Sequence, residues 1–326
     1  MITYLPKEIS VPEVQRLLQG GIGPRPIALV STISKDGINN LSPFSFYNVF
    51  GANPPVIAFS PSRRGRDGSF KDTYLNLVET KECVVQAVTY SMVEQVSLAS
   101  TEYERAIDEF VKSGLTPINS DLVKPKRVKE SPFQMECKLI DMISYGNGGA
   151  SANLAVCEII KFHVYEELFV NGNIHPNKID LVARMSGDFY CRAFGDNVFE
   201  VEKPLAKKGI GYDQIPDFIK NSNIYSANNL GKFGNIEIIP SENAVTDYIE
   251  EVRQSTIIQS DYLRNSFEEY LTQRDFTKML QIVLVNSSLS PSDKKQMLER
   301  TAKVALESNQ TEIAWKIALF AGRDNG

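Results

Sequence analysis

Residues 25–48 hold two runs, Arg25-Pro26-Ile27-Ala28-Leu29-Val30-Ser31-Thr32 and, after a short polar link, Asp36-Gly37-Ile38-Asn39-Asn40-Leu41-Ser42-Pro43-Phe44-Ser45-Phe46-Tyr47-Asn48. The first run is apolar and β-prone, Asp36-Gly37 is a hairpin turn signal, and the second run returns as a strand. That second run is too polar to serve only as core, since it sets Asn40, Ser42, Ser45 and Asn48 beside Phe44, Phe46 and Tyr47. Apolar walls with a few fixed hydrogen-bonding groups suit a flat heteroaromatic ligand. An amphipathic hairpin with a polar outer face fits the same pattern, so the segment alone leaves both readings open.

Outward from this hairpin, Val56-Ile57-Ala58-Phe59-Ser60 and Glu82 to Thr89 read as short strands, and Phe133 to Ile143 and Asn153 to Val164 as long ones. Ser10 and Pro12 ahead of Val14, Leu17 and Leu18, stopped by Gly20-Gly21, predict a leading helix. A helix beginning near Lys71-Asp72-Thr73 should bury Tyr74, Leu77 and Val78, and residues 91–113 are helical in composition. Strands at short spacing with few helices between them predict a closed antiparallel barrel rather than a parallel doubly wound sheet. After Pro204 the character changes. Residues 205–240 show no clear period, and from Ser241 apolar faces recur at helical spacing. They run from Val245, Tyr248 and Ile249 through Leu263, Phe267 and Tyr270 to Ile313, Trp315 and Ile317. The expected organisation is a mainly β domain over residues 1–204, then an irregular linker and four or five helices over 205–326.

At 326 residues the chain has room for one large domain or two ordinary ones, and 42% apolar composition is that of a globular protein. A net charge of −5 argues against a nucleic-acid partner. The first residues lack a signal-peptide core, and no run approaches the roughly 20 apolar residues that span a bilayer, so a cytoplasmic protein is expected. Cys83, Cys137, Cys157 and Cys191 form no C-x-x-C pair and read as reduced, buried thiols. With two histidines and no clustered Cys/His spacing, no metal site is expected. Gly146-Asn147-Gly148-Gly149-Ala150-Ser151 lacks the order of a dinucleotide loop and precedes a strand, so it reads as a β–β connection. His175, beside Pro176, reads as surface.

Five landmarks in order carry a family resemblance over residues 10–200. They are the opening segment, Lys71-Asp72-Thr73 with Asn76, Ser131-Pro132-Phe133-Gln134-Met135-Glu136-Cys137, His163 ending a strand, and Arg184 with Tyr190. Together they resemble the flavin reductase-like, FMN-binding split-barrel family, which includes NAD(P)H:flavin oxidoreductases and flavoredoxin-type proteins. The resemblance implies a mainly β fold with helices, an FMN-binding split β-barrel, followed here by an α-helical C-terminal extension on which the family is silent. It implies hydride transfer from NADH or NADPH to flavin N5, as a flavin reductase or a flavoredoxin-like electron carrier. It also implies a homodimer with the flavin at its interface, and a protein electron acceptor as a further partner. An FMN-dependent reductase of another small acceptor would use the same chemistry. From a different class, the alternative is a non-catalytic flavin-binding module that docks through its C-terminal helices.

A flavin phosphate wants positive charge, hydroxyls or a helix N-terminus. Lys71 and Thr73 stand where a helix starts, with Arg63 and Arg64 on the loop before it. Read structurally, the same residues are a helix cap and a solvated lysine. The ring's pyrimidine edge wants donors, for which Asn40, Ser42 and the backbone of Ser45 to Asn48 are candidates, with Phe46 and Tyr47 as walls. The resemblance assigns His163, Arg184 and Tyr190 to the nicotinamide-facing side, His163 at the nicotinamide or flavin edge and Arg184 at a nucleotide phosphate. Cys157 stands before Glu158 where many relatives have Gly, and the resemblance implies that a side chain there narrows the nicotinamide approach. No fingerprint loop selects NADH over NADPH.

Overall fold

The computed structural model describes residues 1–203, 208–255 and 263–323. Its chain separates into two units, Met1–Glu200 and Val201–Gly326. The boundary expected at 204–205 and the side chain of Leu263 lie outside the described residues.

In the first unit, α1 (Val11–Gly21) leads into β1 (Arg25–Pro26), β2 (Ala28–Ile33), β3 (Asn39–Phe44), β4 (Tyr47–Ala52) and β5 (Pro55–Phe59). Then come α2 (Asp72–Thr80), β6 (Glu82–Gln86), α3 (Val93–Leu98), α4 (Glu109–Ser113), β7 (Pro117–Ile118) and β8 (Arg127–Val128). The long strands β9 (Phe133–Tyr145) and β10 (Ala152–Val164) follow. The unit closes with β11 (Phe169–Val170), β12 (Asn173–Ile174), α5 (Pro176–Ile179), β13 (Val182–Arg184) and β14 (Tyr190–Arg192).

The main sheet runs β3-β2-β6-β9-β10-β5-β4, antiparallel throughout. Its two edge strands, β3 and β4, are consecutive in the chain, with only Ser45 and Phe46 between them. A sheet whose opposite edges are joined by two residues must curl until those edges meet. The result is a split β-barrel, closed by hydrogen bonds everywhere except at the β3–β4 seam. The expected single second run is therefore corrected: it bends at Ser45–Phe46, and its halves lie on opposite edges of the sheet.

Side-chain alternation gives the barrel two apolar faces. Ala28 and Val30 of β2 point inward with Phe59, Val85, Met135 and Ala155, and Leu77 of α2 packs on this core. Leu29 and Leu41, of the other parity, face a second core with Val96 and Phe110 under α3 and α4. Leu77 is buried as expected, whereas Val78 is exposed. Cys83, Cys137 and Cys157 are free and buried inside the barrel, and Cys83 faces Cys137 across β6 and β9. Contact with Cys137, together with burial, pushes the Cys83 thiol well above its ordinary pKa, which keeps it protonated.

Residues 91–113 do not form one helix. α3 ends at Leu98, and α4 starts only at Glu109, where Asp108 accepts the Phe110 N–H as its cap. Between them the Ser100 hydroxyl donates to the Ser97 carbonyl and the chain turns. Helix α1 carries the Ser10–Glu13 capping box. The buried Arg25 closes its other end, donating to the carbonyls of Gln19 (2.7 Å) and Ile22 (2.6 Å).

The second unit is helical. α6 (Asp217–Lys220) and α7 (Ala227–Gly234) lie in the stretch read as irregular. Five helices follow Ser241 among the described residues: α8 (Glu242–Gln254), α9 (Leu263–Gln273), α10 (Phe276–Val285), α11 (Pro291–Glu307) and α12 (Thr311–Arg323). Their core centres on the fully buried Trp315, whose indole N–H donates to the Phe233 carbonyl at 3.1 Å and whose ring meets the Phe233 ring edge-on at 5.0 Å. No helix among the described residues is long and apolar enough to cross a membrane.

Candidate functional site

Lys71 precedes the first turn of α2 in an extended conformation, and no side chain caps that helix. Lysine has no acceptor with which to cap, so the first-turn N–H groups remain available; the first backbone bond returning to Lys71 O comes from Leu75. The Lys71 ammonium has no hydrogen bond or ion pair among the described residues, and half-burial lowers its pKa. It lies 6.0 Å from the centroid of the Phe44 ring. Asn40 and Ser42 of β3, Arg64, Thr73, the Thr101–Tyr103 turn and Glu109 line the pocket around it.

Behind the pocket wall lies a buried hydrogen-bond chain. Asn76 Nδ2 donates to Thr32 Oγ1 (3.0 Å), and Thr32 (3.0 Å) and Thr73 (2.8 Å) both donate to Asn40 Oδ1. Asn40 Nδ2 donates in turn to both Glu109 oxygens at 3.3 Å, and Leu41 N–H reaches Glu109 Oε2 at 3.0 Å. Burial raises the Glu109 pKa against the opposing effect of these bonds.

The structure thus brings Asn40, Ser42, Arg64, Lys71 and Thr73 together, and it adds Glu102 and Glu109. Arg63 lies beside this group but not in its lining: its guanidinium stacks on Phe70 at 3.9 Å and donates to the Gly68 carbonyl. Ser45, Phe46, Tyr47 and Asn48 occupy the barrel seam. Phe46 is exposed, and its carbonyl accepts the Ser60 N–H. The Asn48 side chain accepts the Val49 N–H. Tyr47 packs on the barrel core, where burial pushes its phenol up to about 12.

His163 sits elsewhere, under the Asp121–Val123 turn. Its Nε2 donates to Glu136 Oε1 at 2.7 Å, and Glu136, fully buried, also accepts the N–H groups of Asp121, Leu122 and Val123. Asp121, Glu136 and His163 cluster as metal-ligand types do. Glu136's oxygens are taken by those donors, however, and Asp121 pairs with Lys161 at 2.6 Å. The cluster is a hydrogen-bonded knot. Arg184 and Tyr190 pair across β13 and β14, the guanidinium 4.6 Å from the ring centroid, in a separate small sheet with β1. In the helical unit a cavity of about 490 Å³ is lined by Ile224, Leu271, Arg300 and Glu307. Its charges are already paired, Arg300 with Glu268 and Glu307 with Arg274.

The family model for the flavin reductase like domain matches residues 21–178. A protein of Aquifex aeolicus is 37% identical over 193 residues, covering 59% of this chain and 96% of that one. The chain belongs to the flavin reductase-like family. Another relative, BH2278 of Halalkalibacterium halodurans, is 36% identical over 61% of this chain and 95% of its own. Among solved structures, nitrilotriacetate monooxygenase component B from Bacillus cereus is 32% identical, covering 62% of this chain and 98% of that one, with a TM-score of 0.58. The 2-nitrobenzoate 2-nitroreductase NbaA of Pseudomonas fluorescens is 25% identical over 64% of this chain and all of that one, with a TM-score of 0.55. These flavin reductase-like relatives support a flavin-related oxidoreductase.

Proposed function

We propose that the barrel unit binds FMN with its phosphate at the α2 N-terminus and accepts hydride from NADH or NADPH, as a flavin reductase or a flavin-bearing electron carrier. The observation that supports this best is Lys71, a half-buried ammonium without a hydrogen bond or ion pair among the described residues, beside an uncapped helix start. Such a site favours an anion by both charge and hydrogen bonding. FMN fits these residues, and when bound it supplies the hydride-accepting chemistry. Ser45 to Asn48 present backbone groups at the seam for the ring edge, and Arg184 with Tyr190 and His163 are assigned to the nicotinamide side. A homodimer that completes the flavin site belongs to the same reading, as does a cytoplasmic location.

The test is flavin retention and reduction. Lys71→Ala is expected to weaken FMN binding about tenfold or more, roughly the value of a charge-assisted hydrogen bond, while riboflavin binding changes little. Unchanged FMN affinity would remove the phosphate assignment. Bleaching of the bound flavin spectrum by NADH or NADPH under anaerobic conditions identifies the donor; flavin that stays oxidised with both counts against nicotinamide dependence.

A further inference from the structure

We propose that the FMN phosphate is held loosely and exchanges with solution because the Glu109 carboxylate opposes it, making Glu109 the residue that sets FMN affinity. This rests on reading the Lys71 pocket as the phosphate site. Of the cations lining that pocket, Arg64 is already engaged: it reaches Asp72 at 3.1 Å and Glu102 at 3.8 Å. Asp72 also faces Arg105 at 3.8 Å. Lys71 is left as the lining cation without an ion pair among the described residues. Against it stands Glu109, only 8% exposed, whose carboxylate accepts from neutral donors alone, Asn40 and Leu41. An anion drawn to Lys71 therefore meets one ammonium that Glu102 and Asp72 act on only from a distance, and one carboxylate with no cationic partner among the described residues, in surroundings where charge is poorly screened.

Glu109 acts a second way. A carboxylate only accepts, so the Asn40 NH₂ group must face it, and Asn40 Oδ1 must face Thr32 and Thr73. The Thr73 proton is thereby drawn away from the pocket. Both effects weaken phosphate retention without touching the flavin ring. Charged groups around Glu109 are Lys71 and Asp72 from α2, Arg64 from the loop before it, Glu102 and Arg105 from the turn after α3, and Asp108 beside it. An incoming phosphate favours protonation of Glu109, so FMN affinity falls as pH rises through its titration.

Equilibrium binding of FMN and of riboflavin to the full chain, followed by flavin fluorescence across pH, tests this. Glu109→Gln is expected to bind FMN about tenfold tighter, with riboflavin affinity nearly unchanged, and to lose the fall in FMN affinity with pH. A purely structural glutamate would give weaker binding of both flavins. Glu102→Gln, whose side chain is 46% exposed, should tighten FMN by a smaller factor and decides the matter if Glu109→Gln does not fold. Equal or weaker FMN binding in Glu109→Gln overturns the proposal, as does no tightening in Glu102→Gln where that variant must decide. Lys71→Met separates the two failures: an unchanged preference for FMN over riboflavin would overturn the phosphate site itself.

Discussion

Glu136→Ala is expected to destabilise the barrel unit by about 3–5 kcal/mol, the cost of removing one member of a buried, hydrogen-bonded charged set. Three backbone N–H groups and the His163 ring lose their acceptor together, and the side chain that filled the space is gone. Urea unfolding monitored by far-UV circular dichroism measures the loss; less than about 1 kcal/mol would mean that water replaces the carboxylate without penalty. The same group gives an acid-sensitive stability. Burial alone would raise the Glu136 pKa, but the Asp121 N–H, His163 and the Leu122 N–H outweigh it and hold the carboxyl below its ordinary value. A depressed folded-state pKa contributes stability that is present above the unfolded-state value, about 4.3, and disappears as pH falls through the folded-state value. Glu136→Gln should therefore lose part of the wild-type decline in stability below about pH 4.3.

Trp315→Ala is expected to cost the helical unit about 3–5 kcal/mol. The indole is fully buried and stacks edge-on with Phe233, and its N–H satisfies the Phe233 carbonyl. Truncation removes the ring contacts and leaves that carbonyl unpaired. Trp315→Phe keeps a ring but loses the donor, so its cost should be nearer 1–2 kcal/mol. Trp315 is the chain's single tryptophan, so its emission in the wild type reports on this unit. Chemical unfolding of both variants by circular dichroism gives the comparison: equal losses would show that the ring contacts add nothing beyond the hydrogen bond, and wild-type stability in Trp315→Phe would show that the hydrogen bond contributes nothing.

What was legible in the sequence followed from periodicity. Strands such as Val56–Phe59 and the long pair Phe133 and Ala152 onward announce themselves through apolar, β-branched runs, and the helices after Ser241 through recurring apolar faces. Lys71 and Thr73 were visible because a helix start can be read locally. The bend at Ser45–Phe46 was not, since both residues suit a strand and nothing nearby says that β3 and β4 take different partners. Glu109 was hidden in a stretch of helical composition, and its partner Asn40 lies 69 residues earlier. Asn40 itself read as a ligand donor because Thr32, Thr73 and Glu109, which occupy its amide, converge only in three dimensions. Helices α6 and α7 escaped because they are short and α7 is rich in Asn and Gly, residues that carry little helical signal.

The seam between β3 and β4 has a consequence for when this barrel can exist at all. The two edges of the sheet are joined covalently through Ser45–Phe46, yet β5 must wait for β10 as its neighbour on the other side, almost a hundred residues later in the chain: Phe59 pairs with Ala155. β9 and β10 likewise close the gap between β6 and β5, which are made long before them. During synthesis from the N-terminus, strands β2 to β6 emerge as an open sheet with bare edges, the form of chain most exposed to wrong partners. Only when Val164 has left the ribosome is the last ladder of the ring available, so the barrel is finished by its final strand rather than grown from its first.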